Sequence, residues 1–112
     1  MKILLIVTMV VQATVYNALP NQTNEDNLHT ASMQKINPDA AGSYRFIAVS
    51  RDLYSSGFTF GTRVCIENAG KMNGIWYVED LMNRRWTKKI DFLVDNEIKL
   101  GKWDGVRIKI EE

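Results

Sequence analysis

A single cysteine, Cys65, stands among the 112 residues, so no internal disulfide can staple the fold. The one histidine, His29, cannot with that thiol supply the three or four ligands of a zinc site. No metal and no cofactor are therefore expected. A charge excess is also missing, because 14 Lys and Arg face 13 Asp and Glu, a formal net charge of +1. A polyanion meets no strong overall field, and nucleic acid is not the expected partner. No apolar run is long enough to span a bilayer, and there is neither an internal repeat nor a low-complexity tract. What the chain does have is 46% hydrophobic content, enough for one modest core and a single domain.

The N-terminus admits two readings. Met1-Lys2 followed by Ile3 to Val11 has the charged start and apolar middle of an export signal, with Val11-Gln12-Ala13 as a small-residue cleavage site. Alternatively the same residues run into a buried first strand, since Val7, Val10, Val11 and Val15 are β-branched and no turn residue interrupts them. Residues 1–12 are thus an apolar N-terminal segment, a signal-like region or the start of a strand, ahead of a folded domain over 13–112.

Val10 to Asn17 reads as a strand, and Ala18 to Gly42 then turns to Asn, Gln, Thr, Ser, Asp and two prolines, a long polar loop. Further strands are expected at Arg45 to Ser50, Arg63 to Asn68, Ile75 to Glu79, Lys89 to Val94 and Val106 to Ile110. Arg51 to Tyr54 offers a short helical turn, and Ala69 to Gly74, with two glycines, a hairpin connection. Asp95 to Lys102 reads as a second short helix, with Asp at its start and Gly101 near its end. Six short strands with one or two brief helices predict a mainly β, small closed barrel.

Strand alternation sorts the acidic residues. Ile90, Phe92 and Val94 share one face of their strand, which makes that face the core and turns Asp91 outward. A carboxyl group among apolar strand residues can have its pKa raised by partial desolvation, as a general acid near neutral pH requires, while Lys88 and Lys89 pull the other way. Asp80 stands at the end of the preceding strand, where it either serves a site or caps the following turn. Between the two aspartates, Asn83, Arg84 and Trp86 combine amide, guanidinium and indole groups. Such a set suits a glycan groove, with the indole stacking on pyranose C–H faces and the polar groups donating to hydroxyls. Packing of Trp86 over the barrel end is the alternative.

Other features are read as structural. His29 is a hydrogen-bonding loop residue, Trp76 and Tyr77 are split between core and surface, and Arg84, Arg85, Lys88 and Lys89 form a solvated face. Asn21-Gln22-Thr23 fits a glycosylation sequon.

Several segments, taken together and in order, resemble the 3D domain, a double-psi β-barrel named for three aspartates and found at the C-terminus of membrane-bound lytic transglycosylase A, with kin among the rare lipoprotein A-like barrels. They are Ala13-Thr14-Val15-Tyr16-Asn17, Thr30-Ala31-Ser32, Ile47-Ala48-Val49-Ser50, Phe60 to Glu67, Val78-Glu79-Asp80, Lys89-Ile90-Asp91-Phe92 and Gly105 to Ile108. The resemblance implies a six-stranded double-psi barrel acting on peptidoglycan glycan strands, with Asp91 as catalytic acid and Asp80, eleven residues earlier, in support. It sets Ser50 and Thr30 beside Asn83, Arg84 and Trp86 among substrate-binding positions. The implied reaction cleaves the MurNAc–GlcNAc bond. One carboxyl protonates the leaving oxygen and then deprotonates the sugar's own C6 hydroxyl, so no second catalytic carboxylate is needed to activate water. The chain departs from the family at two points: Ser50 replaces the first aspartate, with Asp52 two residues on, and Met82-Asn83 replaces a glycine pair.

Three functions compete on this basis. The first is a lytic transglycosylase-like enzyme of the cell envelope, periplasmic, secreted or phage-borne. The second is a non-catalytic wall-glycan-binding barrel, comparable to those resembling rare lipoprotein A or expansins, which act on wall polymers by contact. The third is a virion or assembly component reusing the barrel.

Overall fold

Extended segments rich in Val, Ile and aromatic residues bury one face of side chains and need partners for their backbone N–H and C=O groups on both edges. The chain solves this by closing its sheet. A computed structural model describes residues 8–18, 29–98 and 100–111. Six strands, β1 (Thr8–Asn17), β2 (Phe46–Val49), β3 (Arg63–Glu67), β4 (Gly74–Leu81), β5 (Lys89–Val94) and β6 (Lys102–Ile110), form a closed barrel in the order β1-β5-β2-β4-β3-β6. The pairs β1/β5 and β2/β4 are parallel and the remaining four antiparallel, a mixed, double-psi-like barrel. Among the described residues, one α-helix, α1 (Arg51–Ser55), and two 3-10 segments at Pro38–Tyr44 and Gly70–Met72 fill the connections. No helix among the described residues is long and apolar enough to cross a membrane.

The expected mainly β barrel is therefore what forms. Residues 8–12 belong to β1, where Thr8 to Val11 pair with Lys109 to Val106 of β6. Residues 1–7 and the Asn21 sequon lie outside the described residues. One element is corrected: among the described residues, the helix expected over Asp95 to Lys102 is absent. Asp95 does not cap a helix but accepts a hydrogen bond from the Gly42 N–H at 2.8 Å, a turn follows at Asn96 and Glu97, and Lys102 already pairs with Thr14. Burial explains the outcome, because early entry into β6 lets Trp103 pack against the barrel core, edge-on to Phe92 with ring centroids 5.6 Å apart. β6 gains its length by bulging at Gly105, which adopts φ +66°, where a side chain is strained, as β1 shifts register between Val11 and Ala13.

Inside the barrel Ile47, Val49, Val64, Ile66, Trp76, Val78, Ile90, Phe92, Val94, Val106 and Ile108 make one buried cluster. A second, smaller cluster lies outside it. Leu93, on the outer face of β5, packs with Ala18, Ile36 and Ala41, and Tyr16, Tyr44 and Phe46 join them. The segment around Ile36 to Tyr44 thereby covers part of the outer face.

Candidate functional site on the outer barrel face

Two ladders meet at Ala48. It pairs with Asp91 across the antiparallel β2/β5 ladder and with Asp80 across the parallel β2/β4 ladder, while Asp91 pairs with Thr14 of β1. Thr14, Asp91, Ala48 and Asp80 thus form one row across four neighbouring strands. Ile47 and Val49 point into the barrel core, so Ala48 between them faces outward. Strand spacing puts the Cα atoms of the two aspartates about 10 Å apart, two ladder steps of roughly 4.8 Å. The Ala48 methyl between them is buried, 3% exposed, and the Tyr16 side chain reaches from β1 to Asp80 across this face. The register shift between Ile47 and Ala48 is what brings Asp80, and not Glu79, into the row.

The two carboxylates have different surroundings. Asp80 accepts from the Tyr16 hydroxyl at 3.0 Å on one oxygen, and from the N–H groups of Ala31 at 2.9 Å and Leu81 at 3.0 Å on the other. With Ser32 N–H donating to the Glu79 carbonyl at 3.1 Å, Asp80 pins the Thr30–Ser32 turn to β4. Asp91 accepts one side-chain hydrogen bond, from the Thr14 hydroxyl. Burial pushes the Asp91 carboxyl above the usual carboxylate range, against the Thr14 hydrogen bond and the Lys89 charge, and the Asp80 charge adds to the rise. Burial also holds the Tyr16 phenol well above its ordinary value, reinforced by the charge of Asp80 and the hydrogen bond to it, so Tyr16 stays a donor.

Chemically, the row offers one carboxylate stabilised by three hydrogen bonds and one desolvated carboxyl able to carry a proton. A groove of about 440 Å³, lined by Thr14, Val15, Leu100, Gly101 and Lys102, opens beside the threonine that donates to Asp91. Among the described residues no group of three or more His, Cys, Asp or Glu side chains is placed to hold a metal ion.

The loop candidates take several positions. Asn83 and Arg84 are exposed on the β4–β5 connection, where Asn83 Oδ1 accepts from the Arg85 N–H at 3.0 Å. No hydrogen bond or ion pair among the described residues joins either of them to the aspartates. Trp86 is half-buried and belongs to neither hydrophobic cluster. Its indole carries the Lys89 ammonium at 3.8 Å from the ring centroid and the Arg85 guanidinium at 4.7 Å. Lys89 shares the outer face of β5 with Asp91, so Trp86 reaches the row through that lysine.

Thr30 and Ser50 are buried, with 3% and 0% of their surface exposed. The Thr30 hydroxyl accepts from the Gln34 N–H at 3.1 Å and bonds the Ser32 hydroxyl at 2.9 Å. Ser50 Oγ accepts from the Lys89 N–H at 3.1 Å and donates to Asp52. Both residues position backbone and offer solvent no free hydroxyl, whereas the sequence reading set them against substrate. Serine at position 50 suits a site with no exposure, since an unpaired charge buried there would be costly. Asp52 supplies the charge nearby and accepts from the Lys88 N–H at 3.0 and 3.2 Å.

Thr14 and Tyr16 in the row's surroundings are not among the expected site residues, whereas Lys89 pulls on Asp91 as expected. A signal for the first two was there, because Thr14 and Tyr16 alternate with the apolar Ala13 and Val15 and so share an outer face.

No protein-family model matches the chain, and no curated protein matches it. Among solved structures it is similar to the apo expansin of Clavibacter michiganensis, with a TM-score of 0.59 and 16% identity. The match covers 95% of this chain and 52% of that one, so this chain spans about half the length of the expansin. At that identity the likeness is one of fold.

Proposed function

We propose that this barrel is a cell-wall glycan-binding module that holds a polysaccharide strand across the outer face marked by Asp80, Ala48 and Asp91. The observation that carries the reading is the row itself: two carboxylates on one outer barrel face, both ladder partners of Ala48. Carboxylates accept hydrogen bonds from sugar hydroxyls, and the groove lined by Thr14, Val15, Leu100, Gly101 and Lys102 opens beside the row. The half-exposed indole of Trp86 extends that surface. Likeness of fold to an expansin supports a wall polymer as the class of ligand. So does the sequence resemblance to barrels that act on wall polymers by contact.

A second reading, lytic transglycosylase-like cleavage of peptidoglycan with Asp91 as the acid, is favoured by one observation. Burial holds that carboxyl above the ordinary range, toward the protonated form a general acid needs. Sedimentation with purified sacculi, followed by analysis of released material for 1,6-anhydro sugars, separates the two. Binding alone predicts retention without anhydro products, and Trp86→Ala weakening retention roughly tenfold. Anhydro products from wild type but not from Asp91→Asn would replace the binding reading with the catalytic one. Absence of both retention and anhydro products would refute both.

A further inference from the structure

Residues 84–89 carry four cations in six positions, Arg84, Arg85, Lys88 and Lys89, on a chain whose net charge is only +1. Arg51 joins them from the start of α1, since the next residue, Asp52, accepts from the Lys88 N–H. All but Lys89 are exposed. None is ion-paired among the described residues, where Lys109 and Glu67 form the ion pair at 3.8 Å. Two of the five rest on an aromatic ring instead of a carboxylate. Surfaces shaped for solubility intersperse the two signs, and here five cations outnumber the nearby carboxylates of Asp52 and Asp91, an excess that attracts anions.

The patch also leads somewhere. Arg85 lies over Trp86, Trp86 lies against Lys89, and Lys89 stands two residues from Asp91 on the same face of β5. A strand seated on the carboxylate row therefore passes beside these cations. The row, with two acids, suits neutral sugar hydroxyls, whereas the cations suit groups that a neutral glycan lacks. Guanidinium groups fork onto carboxylates with two parallel hydrogen bonds.

Resting on the glycan-binding reading, we propose that Arg85, Lys88 and their neighbours recognise the carboxylate groups of the short peptides carried by a peptidoglycan strand, while the Asp80–Asp91 row takes the sugar. The module then prefers peptide-bearing strands to bare ones, and its preference is ionic.

The test is retention on two polymers: intact sacculi freed of phosphodiester-linked polymers, so that carboxylate is the anion presented, and the same glycan strands stripped of peptide by an amidase. Duplex DNA serves as a third ligand. Wild type is expected to bind the peptide-bearing material roughly two- to tenfold more tightly than stripped strands, with the advantage lost in high salt. The Arg85→Gln/Lys88→Gln double variant, both positions being exposed, is expected to bind the two alike, at the level wild type shows on stripped strands. Equal retention of wild type on both polymers overturns the inference and leaves the glycan reading standing. No retention on either overturns the glycan reading itself. Tighter retention on DNA than on sacculi overturns the inference in favour of general polyanion binding. Should the double variant melt early, the comparison of the two polymers with wild type still decides.

Discussion

Asp80 and Asp91, eleven residues apart in sequence, are both ladder partners of the same residue, Ala48, one on each side of β2. Two acids placed across one alanine feel each other's charge, yet they are held differently. Asp80 is saturated by three donors from Tyr16, Ala31 and Leu81. Asp91 leans on Thr14 and Lys89. That asymmetry makes the two acids respond differently to substitution and to pH.

Removing the Thr14 hydroxyl while keeping its shape deprives Asp91 of the hydrogen bond that favours its charged form. Thr14→Val is expected to move the Asp91 titration further up, seen by carboxyl-carbon NMR across a pH series. A titration unchanged or lowered would show that the threonine does not tune the acid.

Asp91 has its folded pKa above the ordinary 3.8, so the native state binds this proton more tightly than the unfolded chain. The sign follows: stability from this group is greatest below the unfolded value and is lost as pH rises through the folded one. Asp91→Asn, which cannot ionise, is expected to raise Tm at pH 7, with the gain fading as pH falls through the folded value and gone below about 3.8. A lower Tm at pH 7, measured by calorimetry, would contradict it.

Asp52 behaves in the opposite sense. Burial works to raise its pKa, but hydrogen bonds from the Ser50 hydroxyl and from the Lys88, Asp52 and Leu53 N–H groups outweigh it and hold the value below 3.8. Its stabilisation is complete above the unfolded pKa and is lost as pH falls through the folded one. Asp52→Asn should therefore lower Tm at pH 7 and make little difference in strong acid, and a loss that persists in acid would point to packing.

The Thr30–Ser32 turn hangs on Asp80. In Asp80→Ala the Ala31 N–H loses its acceptor, and its hydrogen exchange is expected to accelerate while the central ladder amides of β2 and β5 keep their protection. Unchanged exchange at Ala31 would mean that the turn is held by other contacts.

Phe92 sits at the barrel centre, fully buried, 4.7 Å from the Trp76 ring and 5.6 Å from that of Trp103. Phe92→Ala is expected to cost about 3–5 kcal/mol in urea unfolding, the usual toll of an aromatic-sized cavity. A cost under about 1 kcal/mol would mean that the two indoles collapse into the space.

Much of this molecule is legible locally. β5 runs over Lys89–Val94 as its alternation predicts, with Ile90, Phe92 and Val94 inside the barrel. Trp76 is buried, and Tyr77 remains 39% exposed. The misread stretch is Asp95 to Lys102, where an Asp-to-Gly pattern imitates helix punctuation while long-range bonds take the polar groups. Asn17 Nδ2 donates to the carbonyls of Asp95 and Ile98 at 3.0 Å each, and Asp95 itself holds Gly42. No short window of sequence contains those partners.

The amino-acid order by itself determined which side chains of a strand share a face, because an extended backbone alternates them whatever lies next to it. It thereby turned Asp91 outward and Phe92 inward. Which strands lie side by side was decided only by the tertiary structure, since closing the barrel satisfies every ladder edge at once and depends on contacts between residues far apart in sequence. That closure alone set β5 and β4 on either side of β2, brought Thr14 and Tyr16 of β1 to the two acids, and buried Ser50 beneath the β2–β5 ladder.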